Sequence, residues 1–162
     1  DYFGIKKSDL LEEMIETEDD SLDDDTVIVD VYSKVFLDAV WCDKTQAFKV
    51  GEELIPPEWI KNKQSYFGII MPDNSMDPEF HKNDCLIIRE DNKRGKDGLY
   101  CVLEKDNDYA TIRKLININD GIMVMPLNLN GEFKPKTYLK GTLEFESLRI
   151  LGPVVQVKRY YY

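Results

Sequence analysis

Ser75 occupies a position in this sequence at which a protein could place a nucleophile. An apolar run at residues 66–71 predicts a strand, and the polar turn that follows it presents the Ser75 hydroxyl just before Pro78. Met76, beside the serine, is an adaptable apolar side chain that can fill the core. A serine at the end of a strand can act as a nucleophile when a base lies beside it. The same residues also make an ordinary turn, so the pattern alone leaves both interpretations open.

The histidine and cysteine content predicts neither a metal site nor a cofactor. His81 is the single histidine, and Cys42, Cys85 and Cys101 form no Cys-x-x-Cys pair, whereas zinc sites need several suitably spaced ligands. Three cysteines without a disulfide framework fit a reducing cytosol. The sequence also has no signal peptide and no apolar run as long as a membrane span. We therefore expect a cytoplasmic protein without a membrane partner.

The charge balance argues against direct binding of nucleic acid. The 162 residues suit one domain with an appendage, and they include 31 acidic and 21 basic side chains, for a net charge of -10. Nucleic-acid affinity depends largely on Lys and Arg side chains that neutralise phosphates. If the whole protein binds DNA, we therefore expect a further domain to make the contact.

Residues 1–25 differ in composition from the rest of the chain. Ser8 is a suitable N-cap for a short helix. The helix would carry its apolar side chains on one face, at Leu10, Leu11, Met14 and Ile15. The carboxylate-rich run at residues 18–25 then predicts an extended, solvated linker, because like charges repel one another. The alternatives are an imitation of nucleic-acid charge and a contact for a basic partner.

The remaining residues predict a mainly β domain. Short apolar runs separated by polar turns predict strands. These runs lie at residues 26–36, 66–71, 85–89, 99–104, 109–115, 122–125, 138–139 and 148–160. Residues 41–51 show no pattern that predicts an element, and Pro57 is expected to start one helical turn. Many short strands with little helix are typical of a barrel-like β domain.

Several of these stretches resemble one family when they are read in order. Ser-Met-x-Pro at residues 75–78, followed by Lys-Asn-Asp at residues 82–84 and an apolar strand, resembles the signature of LexA and phage cI-like repressor C-terminal domains. Weaker matches follow in the order of that family, at residues 98–102, 110–115, 127–128 and 150–155. The resemblance covers roughly residues 27 to 160, and it implies that residues 52–60 form the family's short, proline-marked connection. It implies the compact, barrel-like β fold of self-cleaving serine/lysine peptidases, which is related to that of signal peptidases.

The resemblance also implies a domain organisation. Residues 1–25 correspond to a helix and linker that follow an N-terminal helix-turn-helix domain, and we expect that domain to precede Asp1. Residues 26–162 correspond to the LexA-like C-terminal oligomerisation domain.

The family usually has glycine where Asn83 stands, and asparagine is the other residue that best tolerates a positive φ.

The base that the resemblance implies is absent from its expected position. The family's lysine corresponds to Arg113, and an arginine stays protonated in proteins and cannot accept the serine's proton. Lys114 is adjacent, but side chains alternate across a strand and should direct it to the opposite face. A register slip or a bulge would be needed to bring Lys114 to Ser75.

The bond that the family cleaves is also degenerate. The resemblance places it at Leu37-Asp38 or, with a small shift, at Ala39-Val40. Neither pair contains the glycine that lets a backbone approach a nucleophile closely. Together with Arg113, this predicts a domain that does not cleave itself, in which Ser75 is a remnant of the motif.

Without cleavage, the expected role is to hold repressor subunits together. In the resembling family the dimer contact is made largely by the last strands, and here the candidates are Val155, Val157 and Tyr160. An ordinary core strand with a frayed end is the alternative for this stretch. The leading hypothesis is a homodimeric or larger repressor of a phage or mobile element, released by an antirepressor protein. Its rivals are a self-cleaving peptidase that uses Ser75 and Lys114, and a binding module of a toxin–antitoxin or stress system.

Overall fold

The computed structural model of the chain describes residues 26–35, 48–107, 109–130 and 132–161. The helix and linker expected in residues 1–25 lie outside the described residues. The same holds for the degenerate cleavage positions Leu37, Asp38, Ala39 and Val40.

In the part of the chain that the structure describes, nine strands form one sheet, which confirms the predicted mainly β fold. The strands are β1 (Val27–Lys34), β2 (Phe48–Ile55), β3 (Tyr66–Ile70), β4 (Cys85–Arg89), β5 (Gly98–Leu103), β6 (Thr111–Ile118), β7 (Gly121–Met125), β8 (Lys136–Leu139) and β9 (Arg149–Lys158). Their order in the sheet is β2-β1-β3-β4-β9-β5-β6-β7-β8. A 3-10 turn at Pro57–Ile60 matches the helical turn expected at Pro57, and helix α1 spans Leu143–Ser147.

The expectation of a connection at residues 52–60 was wrong in part, because the first four of these residues belong to strand β2. It pairs antiparallel with β1 from Val27↔Ile55 to Lys34↔Phe48, with two shifts in register along the way. Of its eight residues only Ile55 is buried. A strand with bulges at the end of a sheet does not need the alternation of apolar and polar residues by which strands are recognised.

Strand β9 joins the two halves of the sheet. Its first half, up to Pro153, pairs with β5, and its second half, from Val154, pairs with β4. Gly152, which lies just before this change of partner, has a φ of +150°. A Cβ atom there would lie 1.7 Å from the carbonyl oxygen of Arg89. Only glycine fits this crossing without moving the backbone.

The half of the sheet that contains β2 curls back on itself. Lys158, at the end of β9, reaches Glu53 of β2 at 3.1 Å, although three strands separate β9 from β2 in the sheet order. A buried apolar cluster fills the inside of this curl and includes Val29, Val31 and Ile87. The curl gives this half of the sheet its barrel-like shape.

Candidate functional site

A closed turn after β3 carries Ser75. Two main-chain hydrogen bonds close it: the Met71 N–H donates to the Asp84 carbonyl at 2.8 Å, and the Asn83 N–H donates to the Met71 carbonyl at 2.9 Å. Met76 is fully buried in the main apolar cluster and anchors the turn. Asn83 has a φ of 78°, which confirms the expectation that it adopts the conformation usually taken by glycine.

The Ser75 side chain is completely buried and has polar partners on two sides. Its hydroxyl donates a hydrogen bond to the Asp73 carboxylate, and its N–H donates to the same Oδ1 atom at 3.1 Å. From the other side, Nη1 of Arg113 donates to the Ser75 Oγ atom at 2.7 Å. The serine oxygen therefore accepts a hydrogen bond from a cation, and its proton is directed at a carboxylate.

Asn128 supports the turn from outside. Its N–H donates to the Ser75 carbonyl at 2.9 Å, and its side-chain amide donates to the Asn74 carbonyl at the same distance. The Leu-Asn pair at residues 127–128, which the sequence singles out only by resemblance, thus has a physical role. It fixes the backbone on both sides of the Asn74–Ser75 peptide bond.

Arg113 is held by a network that the sequence did not reveal. Its Nη1 atom also donates to the Ile112 carbonyl at 2.8 Å, and its Nε atom lies 3.8 Å from Oε1 of Glu104. The Tyr138 hydroxyl donates to the other Glu104 oxygen at 2.5 Å. Arg113, Glu104 and Tyr138 are all buried. The sequence offered one signal of this network, the carboxylate of Glu104 directly after the apolar strand that ends at Leu103.

Burial and charge determine what this network can do chemically. Burial lowers the pKa of Arg113, and the carboxylates of Glu104 and Asp73 oppose that shift. Because the ordinary pKa of an arginine is very high, Arg113 remains a cation despite its burial. Burial, reinforced by the hydrogen bond to Glu104, raises the pKa of the Tyr138 hydroxyl, which therefore stays a donor. The groups around Arg113 thus stabilise a permanent charge rather than a free base.

The structure brings Arg113, and not Lys114, to Ser75. Strands β5 and β6 pair without any shift in register, so that Tyr100 lies opposite Arg113 and Leu99 lies opposite Lys114. Arg113 is buried, whereas Lys114 is exposed on the other face of the strand. The β6 strand therefore contains neither the bulge nor the slip that the lysine would require.

The residues expected at a dimer contact lie at the end of β9. Val155 is half-buried against the inner cluster, while 43% of Val157 and 52% of Tyr160 is exposed. In the described part of the chain, the second half of β9 has a strand partner, β4, on one side only. The Tyr160 hydroxyl donates to Glu53 at 2.6 Å. The structure therefore gathers exposed apolar surface beside an open strand edge.

The described residues form neither a metal-binding cluster nor a helix that could span a membrane. Among those residues, no group of three or more potential ligands is arranged to hold a metal ion. No helix within them has the length and apolar character needed to cross a membrane.

Comparison with known proteins finds one family whose model matches most of the chain. A family model described as Peptidase S24-like matches residues 30–155. This range includes Ser75, Arg113 and the whole of the sheet between β3 and β8. No curated protein matches the chain.

Proposed function

The chain belongs to the Peptidase S24-like family, and we propose that it is a member that does not cleave itself. We propose that residues 26–162 act in the cytoplasm as the dimerisation and regulatory domain of a transcriptional repressor from a phage or other mobile element. The observation that carries the first part is the hydrogen bond of 2.7 Å from the Arg113 guanidinium to the Ser75 oxygen.

The chemistry of this contact opposes nucleophilic attack. A serine becomes a nucleophile when a neighbouring base takes its proton as the new bond forms. The guanidinium has no lone pair to offer, and a carboxylate such as that of Asp73 is a weak base at neutral pH. Ser75 is also completely buried, so its oxygen is not open to a peptide bond that approaches from the solvent. The contacts instead make Ser75 part of a buried polar network that joins the turn to β6.

Self-association remains as the function of the domain. The open edge of β9 and the exposed parts of Val157 and Tyr160 offer a surface that a second copy can cover. Joining two subunits raises the effective concentration of any DNA-binding domains attached to them, which is how paired half-sites are bound tightly. A helix-turn-helix domain before Asp1 would supply the contacts with DNA.

The distribution of charge limits how an antirepressor could recognise this protein. Residues 1–25 contain eleven of the 31 acidic and two of the 21 basic side chains, which leaves twenty acidic and nineteen basic ones in residues 26–162. The folded domain is therefore nearly neutral. We propose that an antirepressor binds the domain through shape and apolar contact, and that a purely basic partner would be directed to residues 1–25.

The test of cleavage is incubation of the purified intact protein between pH 7 and pH 10, followed by gel electrophoresis and mass spectrometry. We expect one intact band at every pH. Fragments that vanish in both Ser75→Ala and Lys114→Ala would instead establish the self-cleaving peptidase. Arg113→Lys is the informative companion, because it places a titratable amine beside the serine. Fragments from that variant alone would show that Arg113 is what prevents cleavage.

The test of self-association is sedimentation equilibrium of the intact protein. Val157→Asp should weaken dimerisation by at least about tenfold, because it places a charge in an apolar contact. Leu129→Asp is the matched control, since Leu129 is 63% exposed and is not part of β9. A wild-type protein that stays monomeric at high concentration would contradict the proposal.

A further inference from the structure

Arg159, just beyond β9, holds the turn that carries Ser75. Its Nε and Nη2 atoms donate to the two carboxylate oxygens of Asp84 at 2.8 and 2.7 Å. Asp84 is buried, and its carboxylate also accepts the His81 N–H at 2.8 Å. Because Asp84 accepts the main-chain bond that closes the turn at Met71, its position determines the geometry of the turn. Paired charge-assisted bonds of this kind are the strongest and the most directional in proteins.

The residues on either side of Arg159 hold a different part of the molecule. Lys158 donates to the Glu53 carboxylate at 3.1 Å and to the Leu54 carbonyl at 2.8 Å, and the Tyr160 hydroxyl donates to Glu53 at 2.6 Å. Burial raises the pKa of Glu53, but the bonds from Tyr160 and Lys158 outweigh it, and the net pKa is lowered. Glu53 is therefore held as an anion at neutral pH. Both of its partners come from the last residues that the structure describes.

Residues 158–160 thus form hydrogen bonds with two segments that lie far apart in the sequence, β2 and the turn that carries Ser75. Alternation along an extended chain explains this, because Lys158 and Tyr160 point to one side while Arg159 points to the other. Lys158 also lies opposite Cys85 in the β4–β9 register, so the main chain of the segment is itself held in place.

We propose that residues 158–160 form a clamp that couples the β1–β2 hairpin to the turn carrying Ser75. A second copy that covers the end of β9 then acts on both segments at once. This inference rests on the proposed self-association through β9. It goes further in assigning the C-terminal residues a role in transmitting that contact to the hairpin and to the serine turn.

The coupling can be measured by amide hydrogen exchange on the full chain. Arg159→Gln removes the bonds to Asp84, and we expect exchange to accelerate about tenfold in residues 71–84 and also in β2, which Arg159 itself does not touch. Glu53→Gln weakens the bonds from Lys158 and Tyr160, and it should accelerate exchange in the same two segments. Arg149→Gln, at the other end of β9, is the matched control and should leave both segments unchanged.

Each result has a definite meaning. Acceleration in both segments, with β6 and β7 unaffected, supports the clamp. Acceleration confined to residues 71–84 in Arg159→Gln and to β2 in Glu53→Gln overturns it, and so does a uniform acceleration of the whole sheet. If Arg159→Gln does not fold, Glu53→Gln alone decides between these outcomes.

Dilution of the wild-type protein separates this inference from the function on which it rests. We expect dissociation of the dimer to accelerate exchange in β2 and in residues 71–84 together. A protein that dissociates without a change in either segment retains the proposed function and overturns the clamp. A protein that is monomeric at every concentration overturns the proposed self-association, whatever the exchange variants show.

Discussion

Replacing Arg113 by methionine should strongly destabilise the protein, because Glu104 would be left buried without its cation. The Nε and Oε1 atoms are 3.8 Å apart, and both side chains are less than a tenth exposed, so solvent screens the pair little. With an effective dielectric constant of about 20, the attraction at this distance is about 4 kcal/mol. Removing one partner of a buried pair typically costs about 3–5 kcal/mol. We therefore expect Arg113→Met to lower the free energy of unfolding by about 3 kcal/mol or more.

The assay is urea unfolding at neutral pH, with the free energy obtained by linear extrapolation. Glu104→Gln and the double variant complete a thermodynamic cycle, in which we expect a coupling energy of at least about 1 kcal/mol. Lys114→Met is the matched control, since it changes the exposed neighbour and should cost less than about 0.5 kcal/mol. Additive effects of Arg113→Met and Glu104→Gln, within about 0.5 kcal/mol, would refute the argument that the two charges stabilise each other.

Two further predictions concern the turn and the crossing strand. The hydrogen bonds from Arg159 hold the pKa of Asp84 below its ordinary value. This stabilisation is complete above about pH 4, where an unfolded aspartate is ionised, and it is lost as the pH falls through the lower pKa of the folded state. In urea unfolding measured from pH 6 to pH 2.5, the midpoint of the wild-type protein should therefore fall at acid pH, and it should fall less in Asp84→Asn. Gly152→Ala should cost more than about 4 kcal/mol or prevent folding, because its Cβ would meet the Arg89 carbonyl. Gly51→Ala serves as the control and should change the thermal midpoint little, because an added Cβ atom there would have no described atom within 4 Å apart from those of its chain neighbours.

The strands that the sequence predicted best are those buried on both sides. Strand β4 was predicted with the bounds that the structure gives it, because four of its five residues are buried and their apolar run is uninterrupted. Strand β2 escaped prediction because it lies at the end of the sheet, where packing imposes no apolar alternation. Helix α1 was missed for a related reason, since none of its five residues is buried and the Thr142 cap is its main local signal.

The candidate site was predictable only in part. Ser75 and Arg113 could be found because each stands in a motif that resembles a known family. Glu104 and Tyr138 could not, because thirty-four residues separate them in the sequence and their contact exists only once the sheet has formed. A carboxylate after an apolar strand is usually a solvated turn residue, and nothing near Glu104 in the sequence indicates a buried cation.

The energy of β6 explains why Lys114 does not replace the missing base. A slip of one residue that turned Lys114 toward Ser75 would turn Leu115 out of the core, at a cost of about 1.5–3 kcal/mol. It would also move Arg113 to the exposed face and leave Glu104 buried without a cation, for about 3–5 kcal/mol more. The two costs add to about 4.5–8 kcal/mol, so the slipped strand would be present in at most roughly one molecule in a thousand, since each 1.4 kcal/mol is a factor of ten. Cleavage by way of Lys114 would be slowed by at least that factor, even if the amine and a suitable peptide bond were otherwise ideally placed.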